Sequence, residues 1–170
     1  MKKVVHTASL TLFLLIVFAA CSPKYGIYEA KAYLRESHRG VQSVNEANQP
    51  VGSTRITENL LFIETRADEN LLQVTSAWIE QKPYSVQLQK MQPGTTIGKL
   101  KDAEAPAIVI GKEGRQLWQA VVTENSTIQL DSSISSAVRN NPVVLTGTWK
   151  GKAFFYAIPS RIALEAILYQ

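Results

Sequence analysis

Hydrophobic and polar residues alternate along most of this chain with a period of two, the repeat of a strand with one buried and one wet face. The alternation is cleanest at residues 84–89, where Tyr84, Val86 and Leu88 stand between Ser85, Gln87 and Gln89. Just before it, Leu72, Val74, Ser76 and Trp78 share a face and Glu80-Gln81-Lys82-Pro83 marks a turn, so the two runs read as a hairpin. Ile56, Leu60 and Phe62 place a strand over 54–65, residues 107–111 form a short apolar strand, and Trp118, Ala120 and Val122 line one face of 116–123. A second hairpin joins 143–149 to 152–158 through Lys150-Gly151, where glycine supplies the positive φ of a tight loop. Two stretches support either period. In 27–36, Tyr28, Ala30, Ala32 and Leu34 favour a strand, while Ile27, Lys31, Leu34 and His38 would lie along a helix. In 160–168, Ile162, Leu164, Ala166 and Leu168 suggest a closing strand, although Ala-Leu-Glu-Ala also favours helix and Ser160 could cap one.

The pattern breaks in a few places. Residues 39–53, with Gly40, Asn45, Asn48, Pro50 and Gly52, read as a long polar loop, 67–70 as a turn and 91–105 as a looser segment. Residues 131–140 are the best helix candidate of the chain after its N-terminal leader: Asp131 or Ser132 can accept from free backbone amides, Ile134, Ala137 and Val138 make one face, and Asn141-Pro142 comes just after its end. Short strands at spacings of about ten residues, with turns between, predict an all-β fold. The expected architecture is an immunoglobulin-like antiparallel β-sandwich with one short helix, in which Trp78, Trp118 and Trp149 fill the space between two sheets.

The first 21 residues obey a different rule. Met1-Lys2-Lys3 precedes an apolar run from Ala8 to Ala20, which closes on Phe18-Ala19-Ala20-Cys21. A basic start, a short apolar core and small residues before a cut describe an export signal. The closing tetrapeptide resembles the lipobox of bacterial lipoproteins. That resemblance implies cleavage before Cys21, a diacylglyceryl group on its thiol and an acylated new amine, and hence a membrane anchor in the cell envelope. It divides the chain into a signal peptide at 1–20, a lipidated Cys21 with a short tether at 21–26, and a β-sandwich domain at 27–170. Ser22 rather than Asp after the cysteine points to the outer membrane, if the cell is Gram-negative. An uncleaved anchor would want a longer apolar run of about 20 residues, and an ordinary secretory signal would want a small residue where Phe18 stands.

Composition narrows the chemistry. Cys21 is the sole cysteine, so no intrachain disulfide can form. The net charge of +4 shrinks once Lys2 and Lys3 leave with the signal, and the remaining cations are scattered, so nucleic acid is not an expected partner. His38 is the only histidine after the signal, placed in the polar loop, which leaves no set of ligands for a zinc site within one chain and no evident base for a serine nucleophile. No cofactor is expected. Glu58, Glu64, Asp68, Glu69 and Glu80 could include a carboxylate pair of the kind that cleaves glycosidic bonds. Asn125-Ser126-Thr127 matches a glycosylation acceptor and reads as a loop. Tyr25, Tyr33, Phe155 and Tyr169 fall off the expected core faces and could present a sugar-binding surface. The expectation is therefore a lipid-anchored envelope protein, not an enzyme, that binds or scaffolds an envelope protein or glycan. The alternatives are a small carboxylate-dependent glycan hydrolase and a carbohydrate-binding module.

Overall fold

The computed structural model describes residues 24–39, 45–47, 55–66, 72–101, 104 and 106–169. Its strands are β1 (Ile27–Arg39), β2 (Arg55–Arg66), β3 (Leu72–Ile79), β4 (Lys82–Met91), β5 (Thr95–Gly98), β6 (Ile108–Ile110), β7 (Arg115–Glu124), β8 (Val143–Trp149), β9 (Lys152–Ile158), β10 (Arg161–Ala163) and β11 (Ile167–Tyr169). A 3-10 turn (Ser132–Ile134) leads into the helix α1 (Ser135–Asn140). The all-β class with one short helix therefore holds.

The sheets are arranged differently from the expectation. Nine strands share one curled sheet in the order β10-β1-β2-β7-β4-β3-β8-β9, with β11 also on β1, while β5 and β6 pair separately. An immunoglobulin-like sandwich divides its strands between two sheets; here hydrogen bonds run from one edge to the other. The β3–β4 hairpin carries the bend. It is paired only from Ile79–Lys82 to Ser76–Ser85, after which β4 runs along β7 and β3 along β8. The two arms thus pack against one inner core that includes Ile27, Leu61, Ile63, Ala77, Leu145, Phe154 and Ile158. Tyr25, just ahead of β1, closes one end of that core, its ring 5.0 Å from Phe154 and 6.3 Å from Trp149.

Both faces of the sheet are covered over much of its area. On the outer face Tyr33, Phe62 and Leu117 pack under Ile97 and Ile110 from β5 and β6, and Trp78 and Val144 pack under Val138 of α1. This explains why β2 reads Leu60-Leu61-Phe62-Ile63 with no alternation: strands buried on both faces lose the wet positions. The expected face of Ile56, Leu60 and Phe62 is the outer one, and Leu61 and Ile63 supply the inner core.

A β-bulge at Thr75 corrects another expectation. Val74 pairs with Gly147 and Ser76 with Thr146, which leaves Thr75 without a partner on β8. The extra residue reverses the facing of every later position on β3. Val74, Ala77 and Ile79 therefore face the inner core, and Trp78 turns to the outer face. Trp118 and Trp149 do pack against the inner core. His38 lies in β1, paired with Arg55 and Leu168 through the backbone, and not in a loop. Both ambiguous stretches are strands. The second is split into β10 and β11, which run parallel to β1. Cys21, Asp68 and Glu69 lie outside the described residues, as do the signal peptide, most of the 39–53 loop and the 67–70 turn.

Candidate functional site

The outer face of β3, β8 and β9 carries a cleft of about 330 Å³, within the range of about 300–1,000 Å³ that small-molecule sites occupy. Trp78, Ile128, Ile134 and Phe155 give it an apolar lining, and Thr75, Ser76, Ser133, Thr146 and Thr148 give it hydroxyls. Trp78 owes its position to the Thr75 bulge, which directs the indole outward. The bulge in turn depends on Gly147. A Cβ there would lie inside contact distance of the Gln73 carbonyl oxygen and 2.9 Å from Val74 Cα. Ser76 and Thr146 share a hydroxyl hydrogen bond of 2.7 Å across the two strands.

The far wall is the segment 125–134, and local hydrogen bonds hold it. Asn125 Oδ1 accepts from the Thr127 amide at 3.1 Å and from the Thr127 hydroxyl at 2.7 Å, while Asn125 Nδ2 donates to Ser85 Oγ at 2.8 Å. The Asn125-Ser126-Thr127 motif is thus a loop whose asparagine amide is engaged within the fold. Asp131 then caps the helical segment, its Oδ1 accepting from the Ser133 amide at 2.8 Å. That backbone hydrogen bond holds the Asp131 carboxyl below the usual carboxylate range. Among the described residues, Asp131 is the one ionisable residue lining the cleft.

Of the carboxylates singled out in the sequence, Glu58, Glu64 and Glu80 lie among the described residues, and Glu58 and Glu64 line different hollows. Glu58 and Glu64 are six residues apart on β2, a span of about 20 Å at about 3.4 Å per residue. Glycosidase pairs stand within about 10 Å of each other. Glu64 is 8 % exposed and its Oε2 lies 3.0 Å from Arg115 Nη1. Glu80, in the β3–β4 turn, pairs with Arg161 of β10. The sequence reading missed Glu29, which sits directly across from Glu64 in the β1–β2 register. Glu29 and Glu64 form one acid pair, and Glu58 and Glu124 line a second hollow together. Glu29 is bonded to Lys31 at 3.0 Å, and the hollow it shares with Glu64 holds only about 80 Å³, too small for a sugar ring. Lys31 illustrates the balance there: burial lowers its ammonium pKa, but the Glu29 hydrogen bond and charge outweigh that and leave it raised. Among the described residues no three His, Cys, Asp or Glu gather into a metal site.

The four aromatics expected on the surface also disperse. Tyr33 is 2 % exposed, edge-on to Phe62 at 5.9 Å, because the β5–β6 layer covers it. Burial pushes its phenol pKa up. Tyr25 closes the inner core, the Tyr169 side chain lies outside the described residues, and only Phe155 reaches the cleft. A wider slot of about 550 Å³ opens where β2 and β7 part beyond Leu61–Ala120. Thr57, Glu58, Asn59, Gln119 and Glu124 line much of it, so it offers less apolar floor than the cleft beside Trp78. Neither a family model, nor a curated protein, nor a solved structure matches this chain.

Proposed function

We propose that this chain is a lipid-anchored, non-catalytic binding domain of the bacterial cell envelope, and that the cleft over β3, β8 and β9 is its ligand site. The anchor rests on the lipobox-like ending at Cys21. The observation that carries the binding site is the lining itself: an apolar floor with Trp78 and Phe155, a rim of hydroxyls, and a single carboxylate, Asp131, engaged as a helix cap. General acid–base chemistry wants a group placed to move a proton, with its pKa brought toward the working pH. The Asp131 carboxyl is shifted the other way. A site of this kind holds a ligand by shape and hydrogen bonds.

Trp78 provides the readout. The purified full chain, titrated with glycan, lipid and peptide fractions of an envelope extract, should show a change in tryptophan emission with one fraction, and that fraction should be recovered chemically unchanged. Trp78→Phe should remove the change. Hydrolysis of the glycan fraction, abolished by Glu58→Gln, Glu124→Gln or Glu64→Gln, would support the hydrolase reading in its place.

A further inference from the structure

We infer that the cleft takes an uncharged carbohydrate ring, a ligand class that rests on the cleft being the binding site. Charge narrows the choice first. Among the described residues no Lys, Arg or His lines the cleft, so none of them offers a carboxylate, sulfate or phosphate the charge-assisted bonds that anions favour. Asp131 Oδ1 is engaged by the Ser133 amide, and a lone exposed carboxylate gives a cationic ligand only a weak, solvent-screened hold.

The remaining chemistry is that of a sugar. A pyranose has an apolar face of ring C–H groups and an edge of hydroxyls. The cleft has aromatic surface chiefly from Phe155, with the small part of Trp78 that stays open, and hydroxyls from Ser76, Thr146 and Thr148 on strands that also supply the floor. Ser76 and Thr146 bond to each other, so one of the two keeps a free proton, and the Thr148 hydroxyl donates to Gln73 Oε1 at 3.4 Å; all three keep lone pairs that can accept from a sugar hydroxyl. Trp78 adds a directional preference. It is 6 % exposed, and its indole N–H has no hydrogen-bond acceptor among the described residues but is not enclosed, so it reaches solvent. A ring hydroxyl or ring oxygen at that edge could take the place of water as its acceptor. An acyl chain would satisfy the apolar lining but leave that donor and the hydroxyl rim desolvated, which costs free energy.

The size of the site sets the affinity. One or two rings fill about 330 Å³, so binding near millimolar Kd is the expectation for so few contacts. The rigid strands that carry Ser76, Thr146 and Thr148 favour selection among sugar epimers, because hydroxyls fixed in place cannot track a misplaced partner.

The test uses the full chain in a non-glycosidic detergent and saturation-transfer NMR. The probes are hexasaccharides of α-glucose, β-glucose, mannose and N-acetylglucosamine, with oligogalacturonate, palmitate and an extended Val/Thr-rich peptide for comparison. At least one uncharged hexasaccharide should give signals on its ring C–H protons. Ala153→Phe, which fills the cleft from an exposed position on β9, should weaken it by about tenfold or more. If that variant does not fold, Thr148→Tyr on its cross-strand neighbour makes the same block. Binding of palmitate, oligogalacturonate or the peptide alone, relieved by the same block, would overturn the ligand class while leaving the cleft as the binding site. Uncharged sugars that bind equally well to the blocked variant, or no signal from any probe, would overturn the assignment of a sugar to this cleft.

Discussion

At the residue scale, Gly147 matters for what it lacks. Strand β8 runs so close to the backbone of Gln73 and Val74 that a methyl group at position 147 has nowhere to go. Its role is close approach, since the contact is with main-chain atoms that cannot swing aside. Gly147→Ala should therefore push β8 from β3, lower stability by about 3 kcal/mol or more, and move Trp78 emission toward that of an exposed indole. Chemical denaturation measured by tryptophan fluorescence would report both. None of this is legible in the sequence. Glycine in a strand is compatible with a bulge on its neighbour, but which neighbour depends on pairing between residues far apart in the chain. The same holds for Glu29. Its alternation with Tyr28 and Ala30 places it on a strand, while its position opposite Glu64 emerges only from the β1–β2 register. The salt bridge from Glu64 to Arg115 also joins two strands that no local signal connects.

At the element scale, the segments with strong local signals are readable from sequence. The 143–149 and 152–158 hairpin pairs as expected through Lys150 and Gly151, with φ values of 51° and 74°. The helical segment begins at Asp131 and buries Val138, with Ile134 and Ala137 packed beside it. Because six residues of α-helix are too few to be stable alone, the cap and the packing on Trp78 and Val144 must hold it. The cap depends on pH. The carboxyl of Asp131 is held below its ordinary value in the folded protein, so its contribution is present above the unfolded value of about 3.9. It is lost as pH falls through the lower folded value. The protection of the Ser133 amide relative to its intrinsic exchange rate should fall over that acid window, and Asp131→Asn, which keeps an acceptor, should flatten the dependence. Hydrogen-exchange NMR at Ser133 would read it. What misleads at this scale is the assumption that strands alternate. On β1 and β2 two cores compete for opposite faces, and Tyr33 and Leu61 belong to different ones.

At the scale of the whole molecule, the β class is legible because strand period and turn chemistry are local. The single curled sheet is not, because the hairpin that bends it looks in sequence like any other. The N-terminal leader makes its own prediction. Cys21→Ser should remove the only acceptor for a thioether-linked lipid, so that radiolabelled palmitate enters the wild-type chain and not the variant. Label in the variant would refute the anchor. The way the sheet closes bears on how the chain is made. Strand β1 is the first of the sheet to be synthesised, yet one of its edges is filled by β10 and β11, where Ala32 meets Arg161 and Ser37 meets Ile167. Until the ribosome has passed residues 161–169, that edge stays raw, and an unpaired strand edge is a template for pairing with another chain. Such distant pairing is slow to form. The molecule can therefore complete its sheet only after residues 161–169 have been made, and whatever keeps the nascent chain from sticking to its neighbours must act until then.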